Sequence, residues 1–287
     1  MRVFRLAVVV LALSVFCRAQ SVPSAIYTDP PANLAHPAGM VVLHIPSHGT
    51  LINGIVYTPA GADTHPTIVI CHGLPGNEKN LDLAQALRRA GWNAVTFNYR
   101  GSWGSPGSYS FAQNLEDADA VLAYLRAPSN TARLQIDTKR IVLAGHSMGG
   151  WVTVMTASHD HGLAGAILIS AADMGSLGKM AHDRLVAEMA DNMESLAATP
   201  ESMANEVAQN SKAFGFANAS PGLKDVPMLV LSANDGLAPQ TDALVQAIQA
   251  EGGGHNIKSV HAATDHGWSD RRIFLESTVI EWLSTLK

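Results

Sequence analysis

Ser147 lies at the centre of the stretch Arg140 to Gly150, which has the sequence RIVLAGHSMGG. A strand that turns sharply into a helix, with a serine at the apex, needs small residues on both sides of that serine, and Gly145 and Gly149 meet this need. The apolar run before the serine is typical of a buried parallel strand, and the run after it is typical of a packed helix. The pattern predicts a serine nucleophile; a glycine-rich turn with an incidental serine is the alternative.

A serine nucleophile needs a base to take its proton and a carboxylate to orient that base. Among the 12 histidines, His266 is the candidate base because it follows the last predicted strand, at the sheet edge where Ser147 also emerges. Asp235 follows the penultimate strand and is the candidate acid, with a plain Asp-Gly turn as the alternative. His146 adjoins the serine, but neighbouring side chains at a tight turn point apart. Asp265 adjoins His266 and is badly placed to bond it.

A developing oxyanion needs hydrogen-bond donors that are already in place. The backbone N–H of Met148, at the start of the helix after the serine, is one expected donor. The second is expected from Leu74, in the glycine-containing loop that follows the 67–71 strand. His72 is expected to brace that loop. Leu74 and Met148, together with Trp103 and Trp268, are predicted to line a substrate pocket, although the two tryptophans could equally be packing residues.

The elements that must position these groups alternate between strand and helix after a short antiparallel start. Continuous apolar strands separated by amphipathic helices predict an α/β fold with a mostly parallel eight-stranded sheet and helices on both faces. In such sheets, ligands bind outside the carboxyl ends of the strands, where Ser147 lies. The predicted strands are 40–45, 51–58, 67–71, 94–99, 140–144, 164–170, 228–232 and 257–262, and the predicted helices are 80–90, 115–126, 148–158, 241–250 and 271–286.

A segment at about residues 175–222 has no strand signal and is predicted to be a helical lid over the site. Leu185, Met189 and Met193 repeat at helical spacing, and Thr199-Pro200-Glu201 is typical of a helix start. Five of the ten methionines fall in or beside this segment, which fits either ordinary helix packing or an adaptable apolar wall. They are Met174, Met180, Met189, Met193 and Met203.

The N-terminus predicts export. Residues 1–19 combine basic residues, an uncharged apolar run and small residues at the end, which is the pattern of a signal peptide; an acylated Cys17 is the alternative. The run is too short for a comfortable permanent membrane span, so no stable membrane insertion is expected. Residues 20–39 are predicted to be a flexible lead-in, and 40–287 one large α/β domain.

Without residues 1–19 the chain keeps 16 basic and 24 acidic side chains, a formal net charge of −8. This acidic balance gives no reason to expect a nucleic-acid partner.

Cys71 would be the only cysteine, so no intramolecular disulfide is expected. His159-Asp160-His161 could suggest a metal, yet no further ligands are spaced to match, and a solvated helix end is favoured. We therefore expect neither a metal nor a cofactor. Arg100 is interpreted as a structural anchor for its loop.

Several motifs together resemble the α/β-hydrolase superfamily. They are His72-Gly73, Asn98-Tyr99-Arg100-Gly101 with Gly104-Ser105-Pro106-Gly107, GHSMGG at 145–150, Ser232-Ala233-Asn234-Asp235 and Asp265-His266-Gly267. The chain is most similar to the small serine hydrolases grouped with prolyl-oligopeptidase-like and dienelactone-hydrolase-like esterases. The resemblance covers about Met40 to Lys287 and implies a Ser147, His266 and Asp235 triad that hydrolyses its substrate through an acyl-enzyme.

The expected activity is hydrolysis of a small-molecule carboxylic ester. An aminopeptidase or acyl-peptide hydrolase acting on short peptides would use the same triad, and an acidic cluster for the substrate amine would favour it. Glu188, Asp191 and Glu194 in the lid are candidates, although a solvated helix face also explains them. An acyltransferase, or a binding protein without catalysis, are the further alternatives.

Overall fold

Eight strands form one sheet in this computed structural model, which describes residues 22–286. The strands are β1 (Gly39–Ser47), β2 (Thr50–Thr58), β3 (His65–Cys71), β4 (Asn93–Phe97), β5 (Ile136–His146), β6 (Gly165–Ile169), β7 (Met228–Ser232) and β8 (Ile257–His261). Their order across the sheet is β1-β2-β4-β3-β5-β6-β7-β8. β1 and β2 pair antiparallel, as do β2 and β4, and all other pairs are parallel. The predicted mostly parallel, eight-stranded sheet is confirmed.

Helices cover both faces of this sheet. They are α1 (Leu81–Arg89), α2 (Phe111–Arg126), α3 (Pro128–Leu134), α4 (Met148–Ala157), α5 (Met174–Leu177), α6 (His182–Ala190), α7 (Pro200–Gln209), α8 (Phe216–Ala219), α9 (Ala238–Ala250) and α10 (Arg272–Leu283). Successive strand residues point to opposite faces. Accordingly, Ile68 and Ile70 of β3 pack in one apolar cluster with α1 and α10, whereas Val69 and Cys71 pack in a second cluster with α2 and α4.

Three elements differ from prediction by four residues or more. β5 extends back to Ile136, beyond the predicted start at Arg140. α2 begins at Phe111, four residues before the predicted start, because the Ser110 hydroxyl accepts a hydrogen bond from the Gln113 amide and caps the helix. α3 is not predicted at all: it is only seven residues long and begins at a proline.

The segment between β6 and β7 is helical throughout its regular elements, α5 to α8, as predicted. Thr199 and Ser202 form a reciprocal capping box at the start of α7, with Pro200 in the first turn. Leu185 and Met189 of α6 and Met203 of α7 are buried, so this insertion has an apolar interior of its own. Several of its residues line one cavity with Ser147 and Asp235, so it lies at the carboxyl end of the sheet, where β5 and β7 end.

The lead-in is partly fixed against the domain. Arg89, at the end of α1, donates hydrogen bonds to the carbonyl groups of Ala25 (2.5 Å) and Ile26 (3.1 Å), so a short turn at 24–26 is held in place. The predicted signal peptide at residues 1–19 lies outside the described residues. Among residues 22–286, no helix combines the length and the apolar character needed to span a bilayer.

Candidate active site

Ser147 lies at a sharp turn between β5 and α4 and has φ 56° and ψ −123°. A non-glycine residue adopts positive φ only at a cost, which the surrounding contacts must offset. The close approach around it requires glycine: a Cβ on Gly145 would lie 1.9 Å from the Gly149 carbonyl oxygen, and a Cβ on Gly149 would lie 2.1 Å from that of Cys71. The predicted need for small residues beside the serine therefore has a steric cause.

His266 and Asp235 are brought together although 31 residues separate them. His266 Nδ1 lies 2.8 Å from Asp235 Oδ2. Because a carboxylate only accepts, Nδ1 carries the proton of this hydrogen bond, which leaves Nε2 as the ring nitrogen that can act as a base. Burial opposes ionisation of Asp235, but hydrogen bonds from His266 and from the Leu237 amide outweigh it and lower the pKa of the carboxyl group.

The residues predicted to form the triad and the oxyanion donors line one cavity of about 440 Å³. Ser147, His266 and Asp235 line it, together with Leu74 and Met148. No hydrogen bond joins the Ser147 hydroxyl to the His266 ring within residues 22–286. In enzymes without bound substrate such contacts are often long and tighten only in the reactive complex. The tertiary structure thus brings these five residues to a single cavity at the carboxyl edge of the sheet.

The two expected oxyanion donors are free to act. Neither the Leu74 nor the Met148 backbone amide has a hydrogen-bond partner in the described part of the chain. The loop that carries Leu74 is braced by His72, whose Nδ1 lies 2.8 Å from the Gly73 carbonyl oxygen. Burial lowers the pKa of His72 to about 4, so the ring is neutral and donates this hydrogen bond. His72 therefore supports the loop, as expected.

Comparison with known proteins decides the family. The model of the alpha/beta hydrolase family matches residues 68–272, which is most of the chain. This chain is a member of the alpha/beta hydrolase family. All five residues at the cavity that were predicted from the sequence fall inside the matched range.

Individual relatives of this alpha/beta hydrolase match over shorter stretches. A quorum-quenching protein, AidA, of Acinetobacter baumannii is 32% identical over 127 residues, which is 42% of this chain and 40% of the relative. Cutinase 1 of Thermobifida cellulosilytica is 29% identical over 116 residues, 40% of this chain and 42% of the relative. The matched segments thus span less than half the length of these curated relatives.

Solved structures share the fold of this hydrolase. An acylaminoacyl peptidase of Pyrococcus horikoshii has a TM-score of 0.67 at 16% identity, covering 87% of this chain and 42% of the peptidase. An esterase structure from Rhizomucor miehei also has a TM-score of 0.67, at 17% identity, with 92% of this chain and 86% of the esterase covered. Cutinases and esterases are thus among the proteins to which this chain is similar.

The lid supplies an apolar wall to the hydrolase cavity. Met174, Leu177, Met180 and Met189 all line it. Met203 and Met193 do not: Met203 is buried within the lid, and Met193 packs against the core. Of the predicted methionine cluster, three members therefore face the cavity, and the others pack the helices.

The two tryptophans predicted for the pocket do not line the cavity, and this expectation is corrected. Trp268 is fully buried, and its Nε1 donates to Ser170 Oγ at 3.0 Å. Trp103 Nε1 donates to the Pro75 carbonyl oxygen at 2.7 Å, and the Lys79 ammonium lies 4.3 Å from the centre of its ring. Both have positive φ, 48° at Trp103 and 59° at Trp268, which is uncommon for a residue other than glycine.

Sequence reasoning missed Ser170, at the end of β6. Its hydroxyl accepts from Trp268, and a hydrogen bond from the same hydroxyl further lowers the pKa of Asp235. The only sequence signal is its position at the end of a predicted strand, β6, which pairs with β5. A serine is too common for that position alone to identify it.

The other charged candidates take structural roles in this hydrolase. Arg100 anchors its loop: Nε lies 2.7 Å from Asp117 Oδ1, and its guanidinium also contacts Glu116. His159 contacts Asp119 at 3.0 Å, and Asp160 pairs with Arg126 at 2.6 Å. The described residues hold no group of three or more side chains arranged to bind a metal ion.

Proposed function

We propose that this protein hydrolyses carboxylic esters through an acyl-enzyme. The observation that carries the proposal is the 2.8 Å contact between His266 and Asp235 at a cavity that the strained Ser147 also lines. His266 Nε2 takes the hydroxyl proton as Ser147 attacks the acyl carbonyl, and returns it to the departing alcohol. Water then attacks the acyl-enzyme by the same route, which releases the acid and restores the serine.

The oxyanion that forms at each step is held by the backbone amides of Leu74 and Met148. Met148 is the first residue of α4, where amide groups have no partner within the helix and the helix dipole favours negative charge. Such preorganised donors typically account for a factor of about 10² to 10³ each. The neutral His72 keeps the Leu74 loop in place without adding a competing charge.

The cavity favours a substrate with an apolar, uncharged acyl group. Its lid wall is formed by methionine and leucine side chains, and its volume of about 440 Å³ is within the range of small-molecule sites. Three carboxylates, Asp173, Glu188 and Asp235, line it, whereas lysine and arginine are absent from its lining within residues 22–286. A substrate with its own carboxylate would be repelled by these three carboxylates.

Peptide hydrolysis is the second candidate because Glu188 lines the cavity and its carboxylate, unlike its backbone carbonyl, has no hydrogen-bond or ion-pair partner within residues 22–286. A carboxylate so placed could receive the free amine of an aminoacyl substrate. Asp191 and Glu194, the other two lid acids, do not line the cavity. One unpaired carboxylate at an apolar wall fits a neutral ester better than it fits a charged amine, which needs several partners.

A substrate panel tests the assignment. We expect p-nitrophenyl esters of increasing acyl length to be hydrolysed much faster than aminoacyl p-nitroanilides, and Ser147→Ala to lower kcat by at least about 10⁴-fold. Ser129→Ala, at an exposed serine of α3, is the matched control and should behave as wild type. Faster anilide than ester turnover would reverse the order of the two candidates.

Two further assays exclude the remaining activities. A fluorophosphonate should label the wild type and not Ser147→Ala; an unlabelled wild type would indicate a non-catalytic protein. Addition of an acceptor alcohol should leave free acid as the main product, whereas a dominant new ester would indicate an acyltransferase. We also propose that the protein is exported, and the mass of the mature chain recovered outside the cytoplasm should correspond to cleavage after Ala19.

A further inference from the structure

The loop that carries His266 is held at two consecutive carbonyl groups. The His266 carbonyl oxygen lies 2.8 Å from Nε2 of His146, and the Gly267 carbonyl accepts from Nη1 of Arg272 at 3.1 Å. His146 ends β5, directly before Ser147, and is 120 residues away from His266 in sequence. The side chains of His146 and Arg272, which do not line the cavity, thus hydrogen-bond to the backbone of the loop that carries the proposed base.

Arg272 is itself fixed. Its Nε and Nη2 contact the two carboxylate oxygens of Asp82 at 2.7 and 2.5 Å, and Nη2 also donates to Asn80 Oδ1 at 3.0 Å. A two-pronged arginine–carboxylate pair defines orientation as well as distance. The Gly267 side of the loop is therefore tied to the start of α1.

His146 must act as a neutral donor. A carbonyl oxygen only accepts, so Nε2 carries the proton in this contact. Burial, and then the nearby charge of His266, lower the pKa of His146 to about 4, with Arg272 acting in the same direction and Asp235 opposing. At neutral pH the ring is uncharged with its proton on Nε2.

The two histidine rings also touch, with centroids 4.6 Å apart. A neutral ring at this distance tolerates an imidazolium on His266, whereas a second positive charge would oppose it. His146, which precedes the nucleophile, thus contacts His266 twice: its Nε2 bonds the His266 carbonyl oxygen, and its ring packs against the His266 ring.

We propose that His146 is a positioning residue for the hydrolysis proposed above, on which this role rests. His146 directly precedes Ser147, and its side chain bonds the backbone carbonyl of His266. This hydrogen bond links the backbone at the nucleophile to the backbone at the base, and it sets the separation between Ser147 Oγ and His266 Nε2. A misplacement of about 1 Å between reacting groups can cost about 10²-fold in rate, so one lost hydrogen bond at this point has a large effect on kcat.

Variants at His146 separate the hydrogen bond from ring packing. His146→Phe keeps an aromatic ring and removes the donor, whereas His146→Gln keeps an N–H donor. We expect the Phe variant to lose about 30-fold in kcat with KM within about twofold of wild type, and the Gln variant to recover to within about fivefold. Fluorophosphonate labelling should slow in parallel with kcat. His255→Phe, at an exposed histidine, is the control and should match wild type.

Several outcomes would contradict the positioning role of His146. Full kcat in a folded Phe variant, or equal losses in Phe and Gln that appear mainly in KM, would overturn the positioning role. If the Phe variant does not fold, His146→Asn replaces it, because its shorter amide cannot reach the carbonyl, and wild-type kcat in that variant would overturn the role equally. A wild type that neither turns over esters nor reacts with fluorophosphonate would overturn the proposed function itself, and this role with it.

Discussion

Acidification should destabilise this hydrolase through His72, the buried ring beside the oxyanion loop. The side chain is 2% exposed, and its pKa falls from 6.5 to about 4, mainly because of burial and also because of the Lys79 charge. Its Nε2 has no hydrogen-bond partner within residues 22–286. The folded protein therefore keeps this imidazole neutral in a pH range in which the unfolded chain protonates it.

The sign and size of the effect follow from proton linkage. The unfolded state binds the extra proton first, so stability is complete above pH 6.5 and is lost as the pH falls toward 4. A shift of this size corresponds to about 3 kcal/mol in full, of which about 2 kcal/mol is lost between about pH 7 and pH 5.

Urea unfolding of the wild type and of His72→Asn at about pH 7, 6 and 5 measures this term. His146, with its pKa also lowered to about 4, and Glu276, with its pKa raised to about 7 mainly by burial, titrate in both proteins and cancel in the difference. The stability advantage of the wild type over the variant should fall by about 2 kcal/mol across the range. A difference that stays constant within about 0.5 kcal/mol would refute the reasoning.

Substitutions at three further residues have defined outcomes. Glu188→Lys should raise the ratio of kcat/KM for a mono-p-nitrophenyl dicarboxylate to kcat/KM for the uncharged ester of equal length by roughly 3- to 10-fold. Glu188→Gln should raise this ratio by less. An unchanged ratio would show that Glu188 does not select between these substrates. Asp117→Ala should cost about 3–5 kcal/mol in urea unfolding because it leaves the buried Arg100 guanidinium without that partner; a loss below about 1 kcal/mol contradicts this. Gly149→Ala should yield little folded protein by circular dichroism, since its Cβ would overlap the Cys71 carbonyl, and a native spectrum with normal activity would show that the turn can widen.

The groups that sequence analysis brought to the cavity share one property: each lies at the end of a predicted strand or the start of a predicted helix. Ser147, Asp235 and Leu74 follow β5, β7 and β3, and His266 follows β8 after a short loop. Because the carboxyl ends of parallel strands meet at one edge of the sheet, the order of strands and helices was enough to predict that these residues lie close together. Their catalytic roles stay a prediction until the variants are assayed.

The tryptophans show where this reasoning stops. Trp268 lies two residues after His266, whereas no residue that lines the cavity is close to Trp103 in the chain, and neither tryptophan lines it. Their backbone has positive φ, which sequence alone does not reveal for a tryptophan, and each ring turns to a partner inside the protein. The side-chain direction of a loop residue depends on a backbone conformation that its neighbours in space impose.

The sequence by itself determined the sheet, the helical insertion and the glycine-lined turn at Ser147, because periodic burial and the close approach of Gly145 to Gly149 act between residues close together in the chain. Only the tertiary structure decided that His146 bonds the His266 carbonyl, that Arg272 joins Asp82 to the same loop, and that the lid presents methionine to the cavity. Contacts of this kind depend on the summed placement of many elements, so residues 120 or 190 positions apart meet without any local signal of the meeting.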